Sequence, residues 1–532
     1  MQQHIRTLIL GTSICGALAV PATVSADVVY DDPDGRFSMT FLGDWATDAE
    51  DARWLAYGDM PLAMTVLTLE TQDVAAAVEA GLRELGVDPA TLTETTRTNW
   101  NRWLLLGFDH GEDQGLTVLA QPRDGSTVVI VGRGQRDLTN NPPQNIIATL
   151  ETVRFAGAAQ LPQSIPDFEA YVAEAMSGGP PGVSIAIANP GEIVYAKGFG
   201  LADGPDQTPA TPGTVYQWGS VTKTVTATAI MQLVEQGKLD LDVPVSGYLD
   251  YVPADMPFTA RNLLTHSSGL PEDPEAILTL LRLQGQPAAN LDAHIRAYFD
   301  DIDGLMFQPG TTSAYANPNF ILLGELVAHI SGVPFEDYVR ENIFSPLGLV
   351  KTDFSYATEP MRTDAAPGAI PVDQMPDIEK LIDNAQGPGT GAKYFQNTDG
   401  PWAWFYPFVV SEGGGGGLLG PVDEMVRFGQ MFLNEGTLDG AEILSPESVA
   451  ALRAPQTLGD GDPLEIGLSW HFNCVAPHFC IEHDGGGAGL QAKLRLYMDD
   501  GLAVAMMSNG AGMDRNEVAD AAAHVYFTLT AQ

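Results

Sequence analysis

Basic residues are scarce in this chain. Across 532 residues, 26 Lys and Arg face 68 Asp and Glu, a formal net charge of −42. That deficit excludes nucleic-acid binding, which needs a basic surface to neutralise phosphates. It also excludes docking on anionic lipid head groups, which attract basic segments. Solubility in a salt-screened medium accounts for the charge without a specific acidic role. Cysteine is rarer still, at three residues, so neither a disulfide scaffold nor a cysteine-rich metal site is expected. Beyond the first 26 residues no run is apolar enough to span a bilayer. The remaining composition, 45% hydrophobic and 18% charged, is that of a globular protein with a sizeable core.

The first 26 residues read as an export signal. Arg6 supplies the positive start, Leu8–Val20 is mostly apolar, and Val24-Ser25-Ala26 ends in a small-x-small cleavage pattern. Cys15 lies inside this segment, and Thr12-Ser13-Ile14 before it makes a poor lipoprotein box. The expected product is periplasmic or secreted, with no membrane insertion once the signal is removed. Only Cys474 and Cys480 remain, and in an oxidising compartment one local disulfide between them is the simplest expectation. His471, His478 and His483 are near in sequence but alternate poorly as ligands, so no metal is expected.

Two folded units suit the length. Residues 27–156 form a small α+β unit, with strands at Phe37–Leu42, Leu62–Leu69, Trp103–Phe108, Leu116–Gln121 and Val128–Gly132 and helices at Asp73–Leu85 and Gln144–Thr152. Asn140-Asn141-Pro142-Pro143 marks the turn before the second helix. The opening Phe37–Phe41 with Asp44-Trp45 resembles the start of small periplasmic domains of the photosystem-PsbP type. No nucleophile, base and acid come together here, so the unit reads as a structural or interaction module. A small, polar linker with two prolines follows, residues 157–166. From Asp167 the chain reads as helix, strands at Gly182–Ala188 and Ile193–Gly200, and a long helical middle. It closes with strands at Gly467–Phe472, Leu490–Tyr497 and Leu502–Ser508 and a helix over Asn516–Leu529. Strands at both ends of residues 167–532 predict one mainly antiparallel sheet with flanking helices. Residues 355–410 read as an extended insertion.

Chemistry concentrates at Gly219-Ser220-Val221-Thr222-Lys223. Val221, Val225, Ile230, Leu233 and Val234 predict a helix that buries one face, ended by Gly237. Three-residue spacing puts Ser220 and Lys223 on one helical face. Ser220 falls in the first turn, where free N–H groups favour a developing negative charge. A serine hydroxyl needs a neighbour to take its proton, which a lysine can do. Such a pair arises by chance, and taken alone a surface serine beside a solvated lysine explains it better than a catalytic pair.

The surrounding motifs decide between these readings. Tyr315-Ala316-Asn317, Leu263–Leu270 (with Thr265-His266-Ser267-Ser268-Gly269), Gly413–Leu419 leading into Asp423-Glu424-Met425, and His483-Asp484-Gly485 occur in the order found in serine β-lactamases of class C, DD-peptidases and related esterases. The resemblance covers about residues 165–530. It implies an α+β domain with an antiparallel sheet and a helical subdomain. It implies Ser220 as the acylated nucleophile, Lys223 as its proton partner and Tyr315 as a shared base and acid. Asn317 would orient Lys223 and the substrate amide, with His483, Gly485 and Gly486 binding substrate and the N–H groups of Ser220 and Gly486 forming the oxyanion hole. No cofactor is implied. Penicillin-recognising members usually carry Lys-Thr-Gly where this chain has His483-Asp484-Gly485, so the anchor for a substrate carboxylate is weakened here. The implied reaction is hydrolysis, through an acyl-enzyme, of an ester, an amide or a D-amino-acid peptide. β-Lactamase or DD-carboxypeptidase action is one alternative, and a non-catalytic peptidoglycan- or peptide-binding role is another.

Other segments have plainer readings. Ser267 and Ser268 fit a structural turn. The Gly413–Gly417 run lacks the Lys-Ser/Thr that a phosphate loop requires. Trp402, Trp404, Phe405, Tyr406 and Phe408 form either loop packing or an apolar wall for an acyl group.

Overall fold

The computed structural model describes residues 28–530 except 33–34, 42–44, 48–53, 58–61, 101–102, 112–113, 124, 137–138, 140–148, 151, 156–160, 273–276, 460, 462–463, 465 and 473–477. The predicted export signal, Cys474, the Asn140–Pro143 turn, most of the helix predicted at Gln144–Thr152 and the first part of the linker lie outside the described residues. Chain contacts divide the protein into Met1–Ala158 and Ala159–Gln532.

The first unit is built on a seven-stranded antiparallel sheet in the order β3-β4-β5-β9-β8-β7-β6. Its strands are β3 (Trp45–Thr47), β4 (Leu55–Tyr57), β5 (Leu62–Leu69), β6 (Thr93–Trp100), β7 (Trp103–Asp109), β8 (Gln114–Arg123) and β9 (Ser126–Gln135). One face receives the helix Val74–Glu84 through Ala77, Val78 and Leu82. Asp73 caps that helix by accepting from the Ala76 N–H at 3.1 Å. The other face packs Trp103, Leu119 and Ile130 against Phe37, Phe41 and Phe155 of a three-stranded sheet, β1 (Val28–Asp31), β2 (Phe37–Phe41) and β10 (Arg154–Phe155). Strand β6 is absent from the sequence prediction. Its Thr93–Arg97 side chains are exposed, so it carries no apolar alternation; it is an edge strand held by pairing with β7.

The second unit contains a six-stranded antiparallel sheet from both ends of its sequence. Strands β11 (Gly182–Ala188), β12 (Ile193–Asp203) and β13 (Thr208–Pro209) join β14 (Ile481–Gly487), β15 (Leu490–Tyr497) and β16 (Leu502–Ser508) in the order β13-β12-β11-β16-β15-β14. Every residue of β11, β15 and β16 is buried, because the helices Ile165–Ala175 and Arg515–Thr530 cover one face and the helical body covers the other. The strand predicted at Gly467–Phe472 does not form. Gly467 N donates to Trp470 O at 2.6 Å, and Ser469 takes a left-handed φ of 77°. The segment is therefore a tight turn, and only His471 bridges to Glu482. Residues 355–410 are ordered as a small layer of their own. Ala369–Pro371, Trp402–Phe405 and Phe395–Asp399 form a three-stranded sheet beside the helix Met375–Gln386. Among the described residues no helix is long and apolar enough to cross a membrane.

Candidate active site

The segment that carries Ser220 begins with a left-handed Gly219 (φ 53°), runs through a 3₁₀ turn at Gly219–Val221 and continues as the helix Thr222–Glu235. The expectation of one buried face is corrected: every residue from Thr222 to Leu233 is buried. Threonine is tolerated in such a position because its hydroxyl bonds back to the helix. Thr224 Oγ1 donates to Val221 O at 2.8 Å and Thr228 Oγ1 to Thr224 O at 2.9 Å. No side chain caps the first turn, although the Val221 N–H donates to Trp218 O at 3.3 Å.

Lys223 Nζ lies 3.1 Å from Ser220 Oγ, 2.7 Å from Asn317 Oδ1 and 2.5 Å from Gly415 O. The Tyr315 hydroxyl donates to Ser220 Oγ at 2.8 Å. The serine oxygen thus meets both predicted proton carriers, and Asn317 reaches the lysine. Burial pushes the Tyr315 phenol above its usual value, although the adjacent Lys223 pulls the other way.

Two carboxyls that the sequence reading passed over complete the cluster. Glu272 accepts from the Asn317 N–H at 2.5 Å and from Asn317 Nδ2 at 3.3 Å. It sits at the start of the helix Asn317–Ser331, where an anion is favoured, and it fixes which end of the Asn317 amide faces Lys223. Burial pushes Glu272 up to about 7, and the nearby Glu412 adds to the rise. Glu412 is buried and raised for the same first reason, with Lys223 opposing. Neither carboxyl belongs to a spacing pattern; the only sequence signal is the glycine run after Glu412.

Three imidazoles surround this centre. His266 packs on the Tyr315 ring with centroids 4.3 Å apart, and its Nδ1 accepts from the Ala316 N–H at 3.2 Å. Burial first, then Lys223, holds His266 well below the usual imidazole value, and burial does the same for His483. His471, with its ring centroid 5.0 Å from that of His483, is brought down to about 4, again by burial. All three are therefore neutral near pH 7. Ser267 and Ser268 are structural, as their bonds to Thr265 and Asn319 show.

The third motif is placed on β14, at the edge of the sheet. His471 pairs with Glu482 at 2.9 and 3.0 Å, and beyond this point the strand approaches Ser220. A Cβ on Gly219 would lie 3.1 Å from Gly485 Cα and 3.2 Å from Gly486 N, while a Cβ on Gly485 would collide with Trp218 O. Only glycine allows this backbone contact. Of the three residues expected to bind substrate, Gly486 lines the cavity beside Ser220, whereas Gly485 is packed beneath it. His483 is buried as well, its Nδ1 bonded to Asp484 O at 2.8 Å, and it is not part of the cavity wall.

Below β14 lies a buried ionic layer. Lys493 pairs with Glu482 at 2.8 Å and with Asp484 at 2.7 Å. Arg495 holds Glu482 at 2.5 Å and also pairs with Asp520. Arg515 joins Asp484 at 3.0 Å and donates to Gly485 O at 2.8 Å. Burial pushes the Glu482 carboxyl up, but Arg495 and Lys493 together hold it well below its usual range. Cys480, which follows the segment 473–477, is disulfide-bonded.

The cavity beside Ser220 has a volume of about 220 Å³. Its wall is largely apolar: Ile277, Leu278, Leu281, Ile378, Leu381, Ile382, Phe405, Phe408 and Val410 line it, with Glu412, Asn317 and Gly486 among the polar and backbone contributors. Phe405 and Phe408 of the aromatic cluster face the cavity, whereas Trp404 is packed in the core.

The beta-lactamase family pattern matches residues 168–527. The chain belongs to this family. Its superfamily consists of serine hydrolases, which the convergence on Ser220 fits. The Bacillus subtilis (strain 168) protein PbpX is 36% identical over 181 residues, which are 34% of this chain and 43% of that protein. Penicillin-binding protein 4* of the same organism is 25% identical over 336 residues, covering 61% of this chain and 67% of the relative. Among solved structures, the octameric penicillin-binding protein homologue from Pyrococcus abyssi superposes with a TM-score of 0.54 at 25% identity, over 68% of this chain and 77% of that one. The chain thus spans less than half of PbpX and about two thirds of the second relative. The β-lactamase-like architecture accounts for why motifs far apart in sequence meet at one serine.

Proposed function

We propose that the protein is an extracytoplasmic serine hydrolase that cleaves esters or amides with an apolar acyl group through an acyl-Ser220 intermediate. The observation that carries this reading is the double approach to Ser220 Oγ, by Lys223 Nζ at 3.1 Å and by the Tyr315 hydroxyl at 2.8 Å.

Lys223 meets two acceptors besides Ser220, namely Asn317 Oδ1 and Gly415 O. Attack requires the free amine, with one N–H given to each of these acceptors and the lone pair turned to the serine O–H. Tyr315, as a neutral phenol, donates to Ser220 Oγ. Attack on the substrate carbonyl then passes the serine proton to Lys223, and the bond from Ser220 Oγ to the carbonyl carbon forms. The N–H groups of Ser220 and Gly486 stabilise the oxyanion, each donor contributing about 3 kcal/mol. Tyr315 protonates the leaving alcohol or amine as the C–O or C–N bond breaks, and Lys223 returns its proton to the phenol. Water hydrolyses the acyl-enzyme by the reverse relay.

The apolar wall favours a hydrophobic acyl part. Among the described lining residues there is no cation to receive a substrate carboxylate, and His483 is buried and neutral at the position where penicillin-recognising relatives carry lysine. That disfavours β-lactams and carboxypeptidase substrates as the main target. A D-amino-acid peptide remains the second reading, favoured by the Escherichia coli (strain K12) relative named as a putative D-alanyl-D-alanine carboxypeptidase. Turnover of a short-chain p-nitrophenyl ester beside a chromogenic cephalosporin tests the reading. Ester hydrolysis that vanishes in Ser220→Ala supports it, and faster cephalosporin turnover would replace it with β-lactamase action.

A further inference from the structure

One group in the apolar cavity is out of keeping with the rest of its wall. Glu412 is the only acid among the described lining residues. Its side chain is buried, and its Oε1 has no hydrogen-bond partner among the described residues. Leaving such an oxygen unpaired is unfavourable, so a carboxyl oxygen kept there without a donor among the described residues points to a donor that arrives with a ligand. The neighbouring loop is shaped around it. A Cβ on Gly415 would lie 2.6 Å from Oε1, and one on Gly416 would collide with Oε2. Glycine at both positions leaves room for the carboxyl at the edge of the cavity. Lys223, which opposes the rise of Glu412, already has Ser220, Asn317 and Gly415 as its partners.

We propose that Glu412 receives the protonated primary amine of the substrate's acyl part, so that the enzyme selects aminoacyl esters or amides with a free amino group and an apolar or aromatic side chain. The proposal rests on the acyl-enzyme reading above and names its substrate class. The amine occupies the polar end beside Glu412, and the side chain lies against Leu281, Phe405 and Phe408. An ammonium there pairs with Glu412 and also relieves its repulsion with Glu272, whose carboxyl Glu412 raises. An N-acylated substrate loses the charge and most of the donors and brings bulk against the carboxyl.

Binding is measured by calorimetry on the full chain carrying Ser220→Ala, which removes turnover. The ligands are D- and L-phenylalaninamide and their N-acetyl forms. The expected result is that at least one free-amine enantiomer binds about tenfold or more tightly than its N-acetyl form, and that this ratio falls to near one when Glu412→Gln is added. Glutamine keeps the shape of the side chain, and an unchanged unfolding transition shows that the fold is retained. Equal or tighter binding of the N-acetyl forms, a ratio that survives Glu412→Gln, or no binding of either free amine overturns the proposal. Failure of the acyl-enzyme reading shows elsewhere, as ester hydrolysis that is absent from wild type or that survives Ser220→Ala.

Discussion

Two clusters of buried polar side chains lie on either side of the nucleophile turn, and they are built by different rules. Under β14, the cations Lys493, Arg495 and Arg515 and the acids Glu482, Asp484 and Asp520 each have a partner of opposite charge close by. Around Ser220, Glu272 and Glu412 have no ion-pair partner among the described residues, and Lys223 is held instead by Ser220, Asn317 and Gly415. Burial pushes Glu272 and Glu412 up, whereas in the ionic layer Arg495 and Lys493 overcome the same effect and bring Glu482 down. The paired cluster holds a strand in place. The cluster without ion pairs keeps two uncompensated carboxyls beside the cavity, at a cost to stability.

Substitutions that separate activity from stability would break or sharpen this contrast. The largest effect is expected on chemistry: Ser220→Ala lowers ester kcat by about 10⁴-fold or more with little change in unfolding, measured by hydrolysis and thermal melting on one sample. In the ionic layer, Arg495→Ala leaves Glu482 without one of its two cations. It lowers stability by about 3–5 kcal/mol in denaturant titration, and a loss below 1 kcal/mol would show that the layer is dispensable. Tyr315→Phe removes the proton carrier while keeping the ring on His266, so kcat drops by about 10²–10³-fold with KM nearly unchanged. An equal fall in stability would make Tyr315 a structural residue instead.

Glu272→Gln reverses the sign. The folded carboxyl titrates at about 7 against an ordinary value of 4.5, so its stabilising effect is complete below about pH 4.5 and is lost as pH rises through 7. Glutamine remains neutral throughout. The variant therefore gains on wild type between pH 4.5 and 7, reaching about 3 kcal/mol at pH 8, while its activity falls because Asn317 loses its orienting anion. A pH-independent difference in melting temperature would show that Glu272 is not held above its ordinary value.

How much of this was visible beforehand depended on whether a residue belonged to a pattern. Ser220, Lys223, Tyr315 and Asn317 sit in motifs with fixed spacing and context, and the structure brings them within bonding distance. The strands Gly182–Ala188 and Leu502–Ser508 are mostly apolar runs and Leu490–Tyr497 alternates apolar with polar residues, and the limits of all three match the observed ones. Glu272 and Glu412 were lost among 68 acidic residues, because a single buried carboxyl has no period. The threonines of the nucleophile helix read as polar, and only their back-bonding to the helix explains their burial. Gly467–Phe472 looked like a strand because its turn depends on one left-handed serine. His483 lies on the expected edge strand, but its burial follows from packing with His471 across the His471–Glu482 bridge, which no periodicity of the sequence records.

The helix that carries Lys223 is enclosed on every side from Thr222 to Leu233. A helix at a protein surface frays and exchanges its amide protons through small local openings, but this one has no open face through which to do so. Its backbone amides should exchange with deuterium only through opening of most of the second unit, among the slowest in the molecule. Lys223 thereby inherits its position from the core as a whole, and the reactive geometry persists for as long as the domain stays folded.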